Sequence, residues 1–109
     1  MKLEFQGDTA VLRNIDELSV ANSRTVRARL SATLTHQHRN VVLDLSSTRF
    51  MDSCGLGVLI WLRRFMADRN GCLSLQDPAP SVLLLLGLTR LEHSFNVTHF
   101  RSVAPALAS

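Results

Sequence analysis

Val41-Val42-Leu43-Asp44-Leu45 is a short, nearly continuous apolar run, and it constrains the fold more than any other stretch of the sequence. A strand that is apolar at successive positions has both faces covered, as strands of parallel sheets do when helices cross over them. Gly55 to Arg69 follows with the length and composition of a helix, and Cys72 to Gln76 is a second, weaker strand-like run. Strand, helix and strand in this order imply a right-handed crossover and a parallel pair.

The other elements fit around that unit. Lys2 to Gln6 alternates, with Leu3 and Phe5 on one side, and Gly7-Asp8 after it is a turn signal. Ala10 to Arg13 reads as a second strand, so the chain opens with a hairpin. Asp16 to Ser19 is polar and turn-like. From Val20 to Leu34, the residues Val26, Leu30 and Leu34 recur every four positions with arginines between them, the pattern of an amphipathic helix. Asn70-Gly71 closes the Gly55 to Arg69 helix, with the glycine in the left-handed conformation favoured at helix ends. Pro78 and Pro80 open a further element, Ser81 to Leu86, with Gly87 as its stop. Phe95 to Phe100 alternates as a last strand, and the Ala-rich Arg101 to Ser109 suits a short terminal helix. The order β-β-α-β-α-β-α-β-α predicts an α/β fold, one domain over residues 1–109, with a mainly parallel mixed sheet and about four helices. With so few strands, helices cover one face fully and leave the other partly open.

Composition narrows the function classes. A chain of 109 residues that is 46% hydrophobic and 19% charged is globular, and it should bury roughly 65% of the surface its unfolded form exposes. No apolar run approaches the roughly 20 residues that span a bilayer. Met1-Lys2-Leu3-Glu4-Phe5 lacks the layout of a signal peptide, so a cytoplasmic location is expected. Cys54 and Cys72 make no CxxC pair and no His/Cys cluster at metal spacing. Two reduced thiols follow, one of them buried as a small hydrophobe. Neither a metal nor a cofactor is implied. Net charge is +3 with a pI near 9.7. Arg24, Arg27 and Arg29 in one segment, and Arg63, Arg64 and Arg69 in another, form no continuous basic block and interleave with no aromatic platform. That is a solvated basic face rather than a nucleic-acid surface.

The segment Phe50-Met51-Asp52-Ser53-Cys54-Gly55-Leu56-Gly57-Val58-Leu59 joins a buried strand to the long helix and places Asp and Ser where the helix begins. Either side chain can cap the free backbone N–H groups there. The same N–H groups and the helix dipole favour an anion. Gly55 and Gly57 keep the first turn bare, so another molecule's backbone can come close. Capping alone accounts for an Asp-Ser pair, and a cap hydroxyl at a surface turn is also reachable by a kinase. Leu56, Val58, Leu59, Ile60, Trp61, Leu62, Phe65 and Met66 cover nearly the whole circumference of the helix. Two readings fit that pattern: an exposed apolar docking patch at its start, or a helix buried by its neighbours on both sides.

This turn, after the Val41 to Leu45 strand, resembles the signature of the STAS family, and within it the anti-sigma-factor antagonists of bacterial partner-switching systems. Their pattern here is Asp-Ser-(Ser/Thr)-Gly-Leu-Gly. Weaker similarities extend along the chain: Ile15-Asp16 to a Leu-Asp pair after the second strand, Leu73-Ser74-Leu75 to the next strand, and Val82, Leu86, Gly87 and Leu88 to a late apolar segment. The resemblance implies a protein that binds a kinase-type anti-sigma factor and so frees a sigma factor. It also implies that this protein serine kinase phosphorylates Ser53 to switch binding off, and that a serine phosphatase resets it. The family's contact positions carry over as Asp16 and Ser19 in the loop, and Asp52, Cys54, Gly55, Leu56, Gly57 and Ile60 around the phosphosite. Two departures stand out: Cys54 replaces the usual Ser or Thr after the acceptor, and Arg13-Asn14 replaces the small residue before the Leu-Asp pair. Phosphorylation is expected to survive, since the acceptor is retained, although a thiol is a weaker donor than a hydroxyl.

Independent catalysis is disfavoured. His36, His38, His93 and His99 have no carboxylate or thiol at ligand spacing, and Ser53 lies in no Gly-x-Ser-x-Gly elbow. Two alternatives remain open: a STAS accessory subunit of a membrane transporter, and a partner switch with a non-sigma output in secretion, motility or biofilm control. Neither membrane insertion nor nucleic-acid binding is expected, and the chain is taken as a monomer or a weak dimer.

Overall fold

A computed structural model describes residues 1–99. Two strands open the chain, β1 (Lys2–Gln6) and β2 (Thr9–Arg13), paired antiparallel with Gln6 opposite Thr9. The loop between them is only Gly7-Asp8, and Gly7 has φ +61, which such a tight hairpin requires. Then come β3 (Glu17–Leu18), α1 (Ser23–Thr33), β4 (Asn40–Asp44), β5 (Phe50–Met51), α2 (Ser53–Ala67), β6 (Cys72–Gln76), α3 (Pro80–Leu88) and β7 (Asn96–Thr98). The main sheet has the order β1-β2-β4-β6-β7, with every pair after the hairpin parallel. β3 and β5 form a separate two-stranded parallel sheet.

Alternation along the main strands sorts the two faces. Ala10, Leu12, Val41, Leu43, Leu73 and Leu75 share one core with Val26 and Leu30 of α1, with Leu59, Leu62 and Met66 of α2, and with Val82 and Leu86 of α3. All three described helices therefore lie over that face. The opposite face carries Val11 and Val42 among polar residues, with Arg13 bridging Glu4 and the buried Asp44 at 3.5 Å each. Among the described residues, helices thus cover the Val41 to Leu45 run on one side only, and Val42 is half-buried. The face that the described helices leave open is largely polar. The fourth helix expected over Arg101 to Ser109 lies outside the described residues, as does the end of the Phe95 to Phe100 strand.

Several expectations change at element ends. Asp16 to Ser19 holds a strand as well as a turn, and α1 begins at Ser23 because Asn22 ties down the preceding turn. The Asn22 side chain accepts from Ser19 N at 2.9 Å and donates to Glu17 O at 2.7 Å. At the end of α2 it is Asn70, not Gly71, that takes the left-handed conformation, at φ +58. Gly71 N then donates to Met66 O at 2.7 Å and Asn70 N to Ala67 O at 3.0 Å, the paired bonds of a Schellman closure. Gly71 is small for a different reason: a Cβ there would lie 2.6 Å from Arg39 O. Gly87 does not stop α3, which continues to Leu88 and turns at Arg90, φ +58. Both cysteines are exposed, so neither fills the core.

Candidate functional site

The short β3–β5 ladder delivers Ser53 to the surface. Arg49 N donates to Asp16 O at 2.8 Å, Glu17 pairs with Phe50, Leu18 with Met51, and Asp52 N donates to Leu18 O at 3.4 Å. The chain then turns into α2 with Asp52 as N-cap and Ser53 as its first helical residue, exposed. The Asp52 carboxylate accepts from Gly55 N at 3.0 Å through one oxygen and from Val20 N at 3.0 Å through the other. One side chain so joins the start of α2 to the loop after β3, across 32 positions of sequence. Those donors, Val20 first and then Gly55, hold the Asp52 carboxyl below the ordinary carboxylate range, because they stabilise its ionised form.

The two glycines of the turn play opposite parts. A Cβ on Gly55 would overlap the Leu18 carbonyl oxygen and lie 2.6 Å from its carbon, so α2 rests directly on the β3 backbone. The close approach at Gly55 is thus made by the protein's own chain. Gly57 faces open space, with nothing within 4 Å of a Cβ. Ser53, Gly57 and Ile60, at helical spacing, share an exposed stripe, and Cys54 is exposed beside it. Ile60 is 39% exposed.

The sequence-derived contact set therefore divides. Ser53, Cys54, Gly57, Ile60 and the half-buried Asp52 come together at one surface. Gly55 and Leu56 are buried and shape that surface from beneath. Ser19 is also buried: its Oγ donates to Glu17 Oε2 at 2.7 Å and accepts from Ala21 N at 3.2 Å, holding the loop that Asp52 grips. Asp16 is exposed at the far end of the ladder, beside Arg49 in a cleft that Ala79 and Pro80 also line. Two exposed apolar residues escaped the sequence reading, Val20 on the gripped loop and Phe50 two residues before the cap. Asp16 to Ser19 reads as polar, and nothing local marks Val20 as the N–H that Asp52 binds. Both readings of α2 hold in part: most of its apolar residues are buried, while Ile60 stays exposed on the same stripe as Ser53 and Gly57. Leu56, Val58, Leu59, Leu62 and Met66 are core, while Trp61 and Phe65 are half-buried under Arg27 at 4.9 Å and Arg69 at 3.9 Å.

Among the described residues no group of three or more His, Cys, Asp or Glu is placed to hold a metal ion. His38 stacks on Phe5 at 4.7 Å and its Nδ1 accepts from Thr35 N at 3.0 Å; His36, His93 and His99 are dispersed. No described helix is long and apolar enough to cross a membrane.

The family model for the STAS domain matches residues 1–106. This chain belongs to the STAS family. Among curated proteins it is 28% identical over 92 residues to the anti-sigma F factor antagonist of Paenibacillus polymyxa, covering 84% of this chain and 79% of that one. It is 32% identical over 60 residues to a STAS-domain containing protein of Pseudomonas aeruginosa, a match spanning 55% of this chain and 59% of that relative. Among solved structures, the anti-sigma factor antagonist SpoIIAA in its unphosphorylated form matches with TM-score 0.72 and 20% identity, covering 98% of this chain and 94% of that one. SpoIIAA of Bacillus in its phosphorylated form matches with TM-score 0.73 and 21% identity, over 99% and 98%. The STAS fold also matches part of the murine anion transporter Slc26a9, with TM-score 0.63 and 18% identity, over 83% of this chain and 14% of the transporter.

Proposed function

We propose that this STAS protein is an anti-sigma-factor antagonist of the bacterial cytoplasm that binds a kinase-type anti-sigma factor through the first turn of α2. Phosphorylation of Ser53 by that kinase switches the binding off, and a serine phosphatase restores it. The observation that carries this reading is the presentation of Ser53: an exposed hydroxyl at the first position of α2, directly after an N-cap carboxylate that fixes the turn. The curated relative named as an anti-sigma F factor antagonist supports the same reading.

A phosphoserine brings about −1.5 to −2 charges and three acceptor oxygens. At a helix N-terminus that charge meets the positive end of the dipole, so the modified protein itself tolerates it. A partner packed over Gly57 and Ile60 does not, because the phosphate keeps its water and blocks close approach. Cys54 leaves the acceptor unaltered.

The test is phosphorylation with ATP and the kinases encoded near this chain's gene, followed by intact-mass and peptide mass spectrometry. One added phosphate on Ser53, absent from Ser53→Ala, is expected; Ser53→Asp should weaken kinase binding. A chain that no such kinase modifies would favour the second reading, an unphosphorylated STAS subunit of a transporter, which the fold's likeness to part of Slc26a9 supports. Non-sigma outputs use the same surface and are separated from a sigma cascade by what is released when this protein binds the kinase.

A further inference from the structure

We propose that the cleft between α1 and α2 receives an acidic segment of the partner, with Arg24 and Arg27 binding its carboxylates beside Ser53. This rests on the reading of the Ser53 turn as the partner-binding surface, and it adds the partner's chemistry. The cleft has a volume of about 240 Å³ and is lined by Ser23, Arg24, Arg27, Cys54, Gly57 and Val58. Its far wall is therefore the first two turns of α2, immediately beyond the acceptor.

Charge on these two helices is one-sided. α1 carries Arg24, Arg27 and Arg29, α2 carries Arg63 and Arg64, and neither helix contains an Asp or Glu. The ion pairs found among the described residues are Lys2–Glu4, Arg13–Glu4, Arg13–Asp44 and Glu92–His93, so none engages Arg24 or Arg27. The carboxylates of the adjoining turn and loop face other groups: Asp52 accepts from Val20 N and Gly55 N, and Glu17 accepts from the Ser19 hydroxyl. Arg27 lies 4.9 Å over the Trp61 ring, a contact that holds the guanidinium in place without cancelling its charge. Two guanidinium groups at a cleft, with no ion pair among the described residues, suit carboxylates, which they bind in paired, planar fashion. Exposed Ile60, further along α2, suits an apolar residue in the same segment. A nucleic acid fits less well, since Trp61 is half-buried beneath Arg27 and offers no free stacking face.

The placement also gives the phosphate a second effect. Ser53 immediately precedes Cys54, which lines the cleft. A phosphate there repels incoming carboxylates and competes with them for the arginines, so one modification removes both halves of the attraction.

The experiment titrates ¹⁵N-labelled protein with a short Glu/Leu peptide and with its Lys/Leu counterpart, following backbone amides by NMR. The amides of the first turn of α1 and of Cys54 to Ile60 should shift saturably with the Glu peptide and not with the Lys peptide. The exposed double reversal Arg24→Glu/Arg27→Glu, checked for retained amide dispersion, should lose about tenfold or more in affinity for the Glu peptide. Shifts elsewhere, shifts untouched by the reversal, or tighter binding of single-stranded DNA at the same amides would overturn the proposal. Ser53 phosphorylation separates the two readings. Equal modification of wild type and double reversal, with unchanged KM, overturns acidic docking and leaves the switch standing. No modification of wild type, with the peptide shifts intact, overturns the switch and supports an acid-binding cleft on its own.

Discussion

The first turn of α2 and the outer side of α3 both set apolar side chains against solvent, but they are built in different ways. On α3, Leu84 is 64% exposed and Leu88 73%, more than Ile60 at 39%. The start of α3 has Ala79 as N-cap with no side-chain bond, and Pro80 simply starts the helix where its missing N–H costs nothing. The start of α2 is tied by a carboxylate with two backbone partners, a two-stranded ladder and a glycine pressed on a carbonyl. Exposed leucine area thus does not single out the candidate site. Polar geometry spent on holding one short turn does.

The sharpest way to break this comparison is at the glycines. Gly55→Ala drives a methyl into the Leu18 backbone, and it should cost about 2–3 kcal/mol or prevent folding. Gly57→Ala, in open space within the same helix, should stabilise by about 0.5–1 kcal/mol in urea unfolding. Equal effects would mean that α2 does not rest on β3.

Next in size is Ile60→Asp, which should weaken kinase binding about tenfold or more, or about 1.4 kcal/mol, while leaving the unfolding midpoint nearly unchanged. Isothermal titration beside urea unfolding reads both; a variant that unfolds instead places Ile60 in the core.

A pH series tests the cap. The folded state holds the Asp52 carboxyl below its ordinary value of 3.8. Its stabilisation is therefore complete above about pH 4 and is lost as pH falls through the lower folded value. The urea midpoint of wild type should exceed that of Asp52→Asn near neutrality, and the gap should narrow in acid. A gap independent of pH would show that the carboxylate charge is not what holds the turn.

The smallest effects belong to α3. Leu84→Gln and Leu88→Gln should change stability by no more than about 0.5 kcal/mol and leave kinase affinity as it was. Loss of binding here, with Ile60→Asp neutral, would reverse the roles assigned to the two helices.

The main frame of this fold was legible in the sequence because it is written in long patterns. The Val41 to Leu45 run, the four-residue recurrence of Val26, Leu30 and Leu34, and the Gly7-Asp8 turn each carry a local signal. The candidate site was legible as a motif, with Asp52 and Ser53 at a helix start. Its construction was not. Glu17–Leu18 and Phe50–Met51 are too short for any period to show, and they become strands only by meeting each other. The Gly55 contact with Leu18 and the Asp52 bond to Val20 are tertiary, and a glycine needed for close packing reads the same as one left bare for a visitor. Helix ends misled for a related reason: Asn70 and Arg90 take the left-handed conformation, so neither Gly71 nor Gly87 has to.

Because a single carboxylate fastens both Val20 and the beginning of α2, the loop and the Ser53 turn are tied through one side chain. A molecule that seizes the Val20 N–H frees one Asp52 oxygen and alters the grip on Gly55. By reciprocity, whatever remodels the surroundings of Ser53 changes how readily the loop after β3 lets go.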